Sequence, residues 1–422
     1  MSAPKSGRRL ICAVAPFAVA PFAVVLFAVG VGASSVAHAA ERARAVGVPF
    51  EGTPGPRNAI TDVAGVEVGQ VTLIRGDGAL KIGVGPVRSG VTVVLPRGRA
   101  SADPVYGGFY DLNGNGEMTG ISYLQDFGVI YGPIGISNTN AIGQIYAGIQ
   151  QWTAQKFGEA STPVVAETFD GRLNDIGGFH VHAEHAMAAL DAAKSGMVEE
   201  GNVGGGTGMV CFGFKGGIGT ASRQVTIGQA HYIVGVLVQC NTGDRATLRI
   251  AGTPVGQELA GRWLPCFAPE VAPADKKPLC SGDSKAGKAP GDSGSIIIVV
   301  ATDAPLIPTQ LNRIAKRAAL GLGRLGSYSG NSSGDLIVSF TTSGVANYPE
   351  QQAPSAIAQI ASTSIDPLFK ATVEATEEAI VNGLIAADTM TGINGQRFYR
   401  LPHGELRDIL KRYGRLDAPK TR

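Results

Sequence analysis

Nine residues, "SIIIVVATD" (295–303), constrain this 422-residue chain more than any other stretch. Five consecutive β-branched residues, Ile296 to Val300, crowd a helix but pack well on a pleated surface. Because no polar residue alternates with them, both faces of the strand must be covered, which makes it central to its sheet. The run follows abruptly on "CFAPEVAPADKKPLCSGDSKAGKAPGDSG" (266–294). That segment is rich in Pro, Ala, Lys, Ser and Gly, lacks apolar periodicity and reads as an exposed loop. Next, "PTQLNRIAKRAALGLGRLG" (308–326) sets Leu311, Ile314, Ala315, Ala318 and Leu322 on one helical face. "DLIVSFTTSG" (335–344) is then a second strand. The unit is β-α-β, and a right-handed crossover would start its two parallel strands at one sheet edge. Ser295 opens the first strand, and "NSSGD", with Ser333 and Asp335, opens the second.

Elsewhere, from about Val48 to Cys240, short β-rich runs alternate with glycine turns and a few helices. "SGVTVVLPRG" (89–98) and "HYIVGVLVQC" (231–240) read as buried strands, and "HVHAEHAMAALDAAKSG" (180–196) as a helix closed by Gly196. Two further helices are expected at about 365–388 and 404–413. A 44% hydrophobic content is ample for one large core, and 59 glycines suit a tight α/β or sandwich fold. The net charge of +2 gives no electrostatic case for nucleic acid as a partner.

At the N-terminus, Lys5, Arg8 and Arg9 precede an apolar stretch, and Ala37-His38-Ala39 offers small residues at a cleavage site. Residues 1–39 read as a secretory signal, which predicts a periplasmic or secreted protein with no membrane attachment after cleavage. An uncleaved anchor is the alternative, weakened by Pro16 and Pro21. Of five cysteines, Cys12 leaves with the signal. A Cys266–Cys280 bridge across the irregular loop suits an oxidising compartment, and no pair has the C-x-x-C spacing of a zinc or redox site.

The loop-to-strand junction contains two candidate serines. Gly291-Asp292-Ser293-Gly294 matches the tetrapeptide around the nucleophile of trypsin-like proteases. That chemistry needs an upstream histidine oriented by a buried aspartate, and no histidine here has the expected context. Ser295 supports another reading. Its hydroxyl can attack the preceding carbonyl, and an N→O acyl shift with hydrolysis would free a new N-terminus. Gly294 tolerates the backbone such attack requires. The freed α-amine, with a reference pKa of about 7.7–8.0, can then serve as base for its own hydroxyl. On local context alone, an ordinary strand-start serine remains the simpler account.

Several motifs bear on that choice: "GSIIIVVATDAPLIPTQLNRIAKRAALGLGRLG", "GNSSGDLIVSFTT", "DLNGNGEMTG", "PIGISNTNAIG", "PVVAETFDGRLNDI", "GFKGGIGTASR" and "TMTGINGQRFYRLPH". Together, across about residues 48–415, the chain resembles the L-aminopeptidase/D-amino-acid esterase family, which includes the β-peptidyl aminopeptidases. The resemblance implies a four-layer αββα sandwich of the N-terminal-nucleophile type, an α/β fold. It also implies one catalytic domain from two self-cleaved chains, α (40–294) and β (295–422), assembled as a homo-oligomer of αβ units. The implied activity is metal-free and cofactor-free removal of N-terminal residues from small peptides, amides or esters through an acyl-Ser295 intermediate. Preference for D-amino-acid amides or esters, or an inactive scaffold keeping the fold, are the alternatives.

By the same resemblance, Gly294–Ser295 is the self-cleavage bond. Ser333 and Asp335 neighbour the nucleophile and tune its protonation, Asn241 stabilises the oxyanion, and Glu167 holds the substrate's ammonium. Some β-peptide-cleaving members carry glutamate where Asp335 stands, one methylene longer. Phe169 occupies a position where an aromatic hydroxyl is expected in some relatives. Without the resemblance, Asn241 in "NTGD" would read as a turn residue.

Three motifs are decoys. "DLNGNGE" (111–117) opens like a calcium loop, but its twelfth position is Ser122. In "HVHAEH" only His182 and His185 fall near one helical face, which is thin for a metal site. "GGGTG" (204–208) lacks the dinucleotide-binding context.

Overall fold

The computed structural model describes residues 41–282, 285, 287–288, 291–344 and 356–417. The signal segment therefore lies outside the described residues.

Two sheets lie face to face. The first has the order β1 (Glu67–Arg75), β2 (Val87–Leu95), β5 (Ile134–Asn138), β6 (Val164–Thr168). The second runs β4 (Val129–Ile130), β3 (Val105–Gly114), β13 (Ser332–Thr341), β12 (Ser293–Thr302), β10 (Ala230–Asn241), β9 (Ile218–Ile227). Short strands complete the set: β7 (Val210–Cys211) with β8 (Phe214–Lys215), and β11 (Cys266–Phe267) with β15 (Gln396–Phe398) and β14 (Met390–Thr391). The helices are α1 (Ile121–Phe127), α2 (Ile142–Phe157), α3 (Ala183–Ala192), α4 (Val255–Glu258), α5 (Pro308–Arg324), α6 (Asp366–Ile385) and α7 (His403–Arg412).

The alternation along β12 builds the layers. Ile296, Ile298 and Val300 pack against Leu311, Ile314 and Ala318 of α5 and Ala375 and Ala379 of α6. Ile297, Val299 and Ala301 face the other way, meeting Ile134, Ile136, Val164 and Ala166 of the first sheet. That sheet turns Val91, Val93 and Val165 outward onto Ile145, Ile149 and Trp152 of α2 and Ala186, Ala189 and Leu190 of α3. The result is αββα, as expected. Each fully buried aliphatic side chain contributes roughly 1.5–3 kcal/mol, so the β-branched run fixes the centre of the molecule.

The β-α-β unit forms as read. β12 and β13 are parallel, with Ser293 opposite Ser332, and the apolar face of α5 is buried throughout. Pro308 supplies a pre-set φ at the start of α5, and Gln310 Oε1 accepts the Ile307 N–H at 3.2 Å.

Two expectations need correction. The 266–294 segment is not uniformly exposed: Cys266, Ala268 and Asp292 are buried, and Ser293 and Gly294 already belong to β12. Hydrogen bonds to the Asp292 carboxylate compensate its burial, which composition does not reveal. α3 is shorter than expected, because after Ala192 the chain turns extended and Lys194 pairs with Val68. The calcium-like Asp111–Gly114 lies within β3, and Asn113 and Asn115 donate to the carbonyls of Gly330 and Ser332 at 2.7 and 2.8 Å.

Candidate active site

Gly294 and Ser295 lie between two strands. On one side β10 sets Asn241 opposite Ser295, and on the other β13 sets Ser333 opposite Gly294 and Gly334 opposite Ser295. Ser295 is buried, and its position alternates with Ile297 and Val299 on the inter-sheet face. Gly294 has φ +134°, and a Cβ there would stand 1.9 Å from the Asn241 carbonyl oxygen and 3.4 Å from its Nδ2. No other residue fits this position without moving the backbone of β10.

The Asn241 side chain has a fixed orientation. Its Oδ1 accepts the Val210 N–H at 2.8 Å, and its Nδ2 donates to the Phe169 carbonyl at 2.9 Å. Donor and acceptor are thereby distinguished by their partners. An amide nitrogen has two N–H groups, and this one would stand 3.4 Å from a Cβ on Gly294. A disulfide between Cys211 and Cys240 ties together the immediate neighbours of Val210 and Asn241.

On the opposite wall Ser333 Oγ donates to Asp335 Oδ1 at 2.6 Å and shares a 3.1 Å hydrogen bond with Thr242 Oγ1. Asp335 also accepts from Ser329 Oγ and from the Ile296 N–H, so the shorter acid meets the chain one residue beyond Ser295. Burial pushes its pKa up; the Ser329 and Ser333 hydroxyls oppose the shift, and the nearby Asp292 charge adds to it. Glu167 is buried on β6, where it accepts from Thr139 Oγ1 and, at 3.3 Å, from the Glu117 N–H. Burial raises its pKa too, against those hydrogen bonds. A Cβ on Gly116 would be 3.2 Å from Glu167 Oε1 and 3.4 Å from the Cα of Gly334, the residue opposite Ser295. By register, then, Asn241, Ser333 and Asp335 flank the Gly294–Ser295 bond, with Glu167 on the facing sheet.

Residues 58–398 match the sequence pattern of peptidase family S58. The chain belongs to peptidase family S58. Among relatives of this S58 peptidase is the β-peptidyl aminopeptidase BapA of Sphingosinicella microcystinivorans, 54% identical over 90% of this chain and 94% of the relative. Two solved structures superpose closely. The L-aminopeptidase D-Ala-esterase/amidase of Ochrobactrum anthropi, described as a variant of the Ntn-hydrolase fold, has a TM-score of 0.78 at 41% identity, covering 89% of this chain and 99% of its own. A Burkholderia sp. β-aminopeptidase gives 0.75 at 40%, with the same coverage. This S58 peptidase is a serine-type hydrolase of the Ntn-hydrolase fold, and its relatives set it among aminopeptidases.

Several residues of the site carried no sequence signal. Asp292 read as loop, but its carboxylate accepts from Gly243, Tyr328 and Gly330 N–H and from Ser327 Oγ at 3.1–3.4 Å. Asp170, adjacent to Phe169, is wholly buried; burial pushes its pKa up to about 7, against hydrogen bonds from Ser89, Asn174 and Asn138. The Cys211–Cys240 bridge spans 29 residues and was not anticipated, whereas Cys266–Cys280 forms as expected.

The three histidines of "HVHAEH" each meet protein groups. His182 and His185 stack with ring centroids 5.6 Å apart, and His185 Nδ1 accepts the His182 N–H at the start of α3. His180 instead pairs with Asp175 at 2.9 Å. Among the described residues no group of three or more His, Cys, Asp or Glu is placed to hold a metal ion.

Proposed function

We propose that this S58 peptidase is an exported aminopeptidase that cuts itself between Gly294 and Ser295 and then uses the freed Ser295 as an N-terminal nucleophile. One observation carries the reading: the glycine-only position 294 sits against the Asn241 amide at the start of a central strand. In the first step Ser295 Oγ attacks the Gly294 carbonyl carbon, and the C–N bond breaks as an ester forms. Water then hydrolyses that ester, leaving a Gly294 carboxylate and a free α-amine on Ser295.

In turnover the α-amine takes the hydroxyl proton as Ser295 Oγ attacks the substrate's first carbonyl. The remaining Asn241 N–H stabilises the oxyanion, a contribution of about 3–4 kcal/mol. The leaving amine accepts the proton, and water resolves the acyl-Ser295 ester. Ser333 and Asp335 support the nucleophile's amine through the Asp335–Ile296 N–H contact. Glu167 receives the substrate's ammonium, which confines cleavage to the first residue.

For substrate, the identity to a β-peptidyl aminopeptidase favours short peptides beginning with a β-amino acid. Amides or esters of D-amino acids are the second reading, favoured by the likeness to the Ochrobactrum enzyme. Two disulfides, one in the core, support export to an oxidising compartment. An assembly of several αβ units is part of the same proposal.

The test is a denaturing gel with an assay. Wild-type protein should give two chains and Ser295→Ala one. The processed enzyme should cleave β-alanyl p-nitroanilide faster than the L- and D-alanyl compounds. A wild-type chain that stays whole refutes self-cleavage; D-alanyl preference replaces the first substrate reading with the second.

A further inference from the structure

Asp292 lies three residues before the proposed nucleophile, outside the groups that reaction uses. Its carboxylate is buried, and the groups meeting it come from two separate loops. Oδ1 accepts the Gly243 N–H at 3.1 Å, two residues after Asn241. Oδ2 faces the 327–330 turn, accepting the Tyr328 and Gly330 N–H groups at 3.2 and 3.3 Å and the Ser327 hydroxyl at 3.4 Å. That turn leads into β13, and Ser333 is tied to it by its N–H to the Gly330 carbonyl at 2.8 Å. One side chain thus fastens the end of the 266–294 segment to both walls of the site.

Every donor in this cradle is an N–H or O–H, which suits an ionised carboxylate and no neutral side chain of equal size. A buried charge is tolerated only with such a set of partners. What the Asp292 carboxylate fixes is the path of the next three residues, and hence the place of the Gly294 carbonyl against the Asn241 amide. In the intact chain the reacting atoms belong to adjacent residues. Rate then depends on holding the peptide in the orientation for attack, and small misplacements cost on the order of 10²-fold.

We propose that Asp292 is the clamp that presents the Gly294–Ser295 bond for cleavage, a positioning residue for processing and not for substrate turnover. The proposal rests on the self-cleavage reading. Once the bond is cut, Asp292 belongs to the chain that ends at Gly294, and the Ser295 strand no longer depends on it. The carboxylate also stands near Asp335, whose upward pKa shift its charge adds to.

The experiment compares wild type, Asp292→Asn, Asp292→Ala and the uncleavable Ser295→Ala, each as the full chain. The rate at which intact chain becomes two chains is followed by denaturing gel and mass spectrometry. In parallel, kcat/KM is measured per mole of processed enzyme. Processing should slow at least tenfold in Asp292→Asn and Asp292→Ala, well beyond any change in kcat/KM of the processed fraction, where loss of the Asp292 charge acts only through Asp335. Asp292→Asn keeps the size of the side chain and is the variant to read should Asp292→Ala fail to fold. Processing at the wild-type rate in Asp292→Asn overturns the proposal, as does a kcat/KM that falls in step with processing. A wild-type chain that never splits removes the self-cleavage reading and the clamp together, whereas a wild type and an Asp292→Asn that split equally fast remove the clamp alone.

Discussion

Removing the Cys211–Cys240 disulfide should damage catalysis as well as stability, and the two effects can be separated. The bridge closes a loop of 29 residues, for which the chain-entropy relation gives about 3.5 kcal/mol. Cys266–Cys280 closes 14 residues, for which the same relation gives about 3 kcal/mol. Replacing either pair by alanine should therefore lower the melting temperature by similar amounts. The positions differ in what they hold. Cys211 and Cys240 flank the hydrogen bond between the Val210 N–H and Asn241 Oδ1, and the Phe212 N–H to Thr242 carbonyl bond at 2.7 Å lies just beyond. The bridge reinforces the hydrogen bond that aims the Asn241 amide. Losing an oxyanion donor outright costs about 10²–10³ in kcat, so loosening one should cost on the order of tenfold. Cys211→Ala/Cys240→Ala should thus lose about tenfold in kcat with KM little changed, and Cys266→Ala/Cys280→Ala should keep wild-type kcat. Thermal scans at one heating rate and steady-state kinetics on one p-nitroanilide measure both. Equal kcat in the two double variants, at equal loss of stability, would refute the aiming role.

Three further outcomes follow from the site. Gly294→Ala should remain a single chain on a denaturing gel, because its Cβ would meet the Asn241 carbonyl at 1.9 Å; efficient splitting would show that β10 yields easily. Glu167→Gln should raise KM for a peptide substrate at least tenfold with a smaller change in kcat, and an unchanged KM would remove the ammonium role. Asp170 should make stability depend on pH. Its carboxyl rises from 3.8 in the unfolded chain to about 7 in the fold, so its stabilising contribution is complete below 3.8 and is lost as pH rises through about 7. At 1.36 kcal/mol per pKa unit this is roughly 4 kcal/mol at most. Asp170→Asn should flatten the melting-temperature profile between pH 4 and 7, and parallel profiles would refute the shift.

The central β-α-β unit was legible because its signals are local: a β-branched run needs no partner to be read, and the face of α5 repeats at helical spacing. That its two strands run parallel from one sheet edge then followed from the crossover connection. Choosing Ser295 over Ser293, and proposing roles for Asn241 and Glu167, took family resemblance, because an asparagine at a strand end or one glutamate on a strand looks ordinary. Asp292 was illegible for a physical reason. Its burial is compensated by N–H groups of residues 243, 328 and 330, donors that every sequence has and no sequence displays. The Cys211–Cys240 pairing failed to show for a similar reason, since it depends on how β7 meets the end of β10.

The strand order of the second sheet decides what a cut at residue 294 can separate. β12 from Ser295 onward and all of β13 lie beyond the cut, and they are flanked by β3 and β4 on one side and β10 and β9 on the other, all before it. The two products are then interleaved within one sheet and one core, and neither is a subunit in the ordinary sense. Dilution would not part them; only unfolding would. Refolding would then require two polypeptides to meet, a bimolecular step that the intact chain never faces. The nicked molecule would therefore persist by the height of its unfolding barrier, having given up the easy route back.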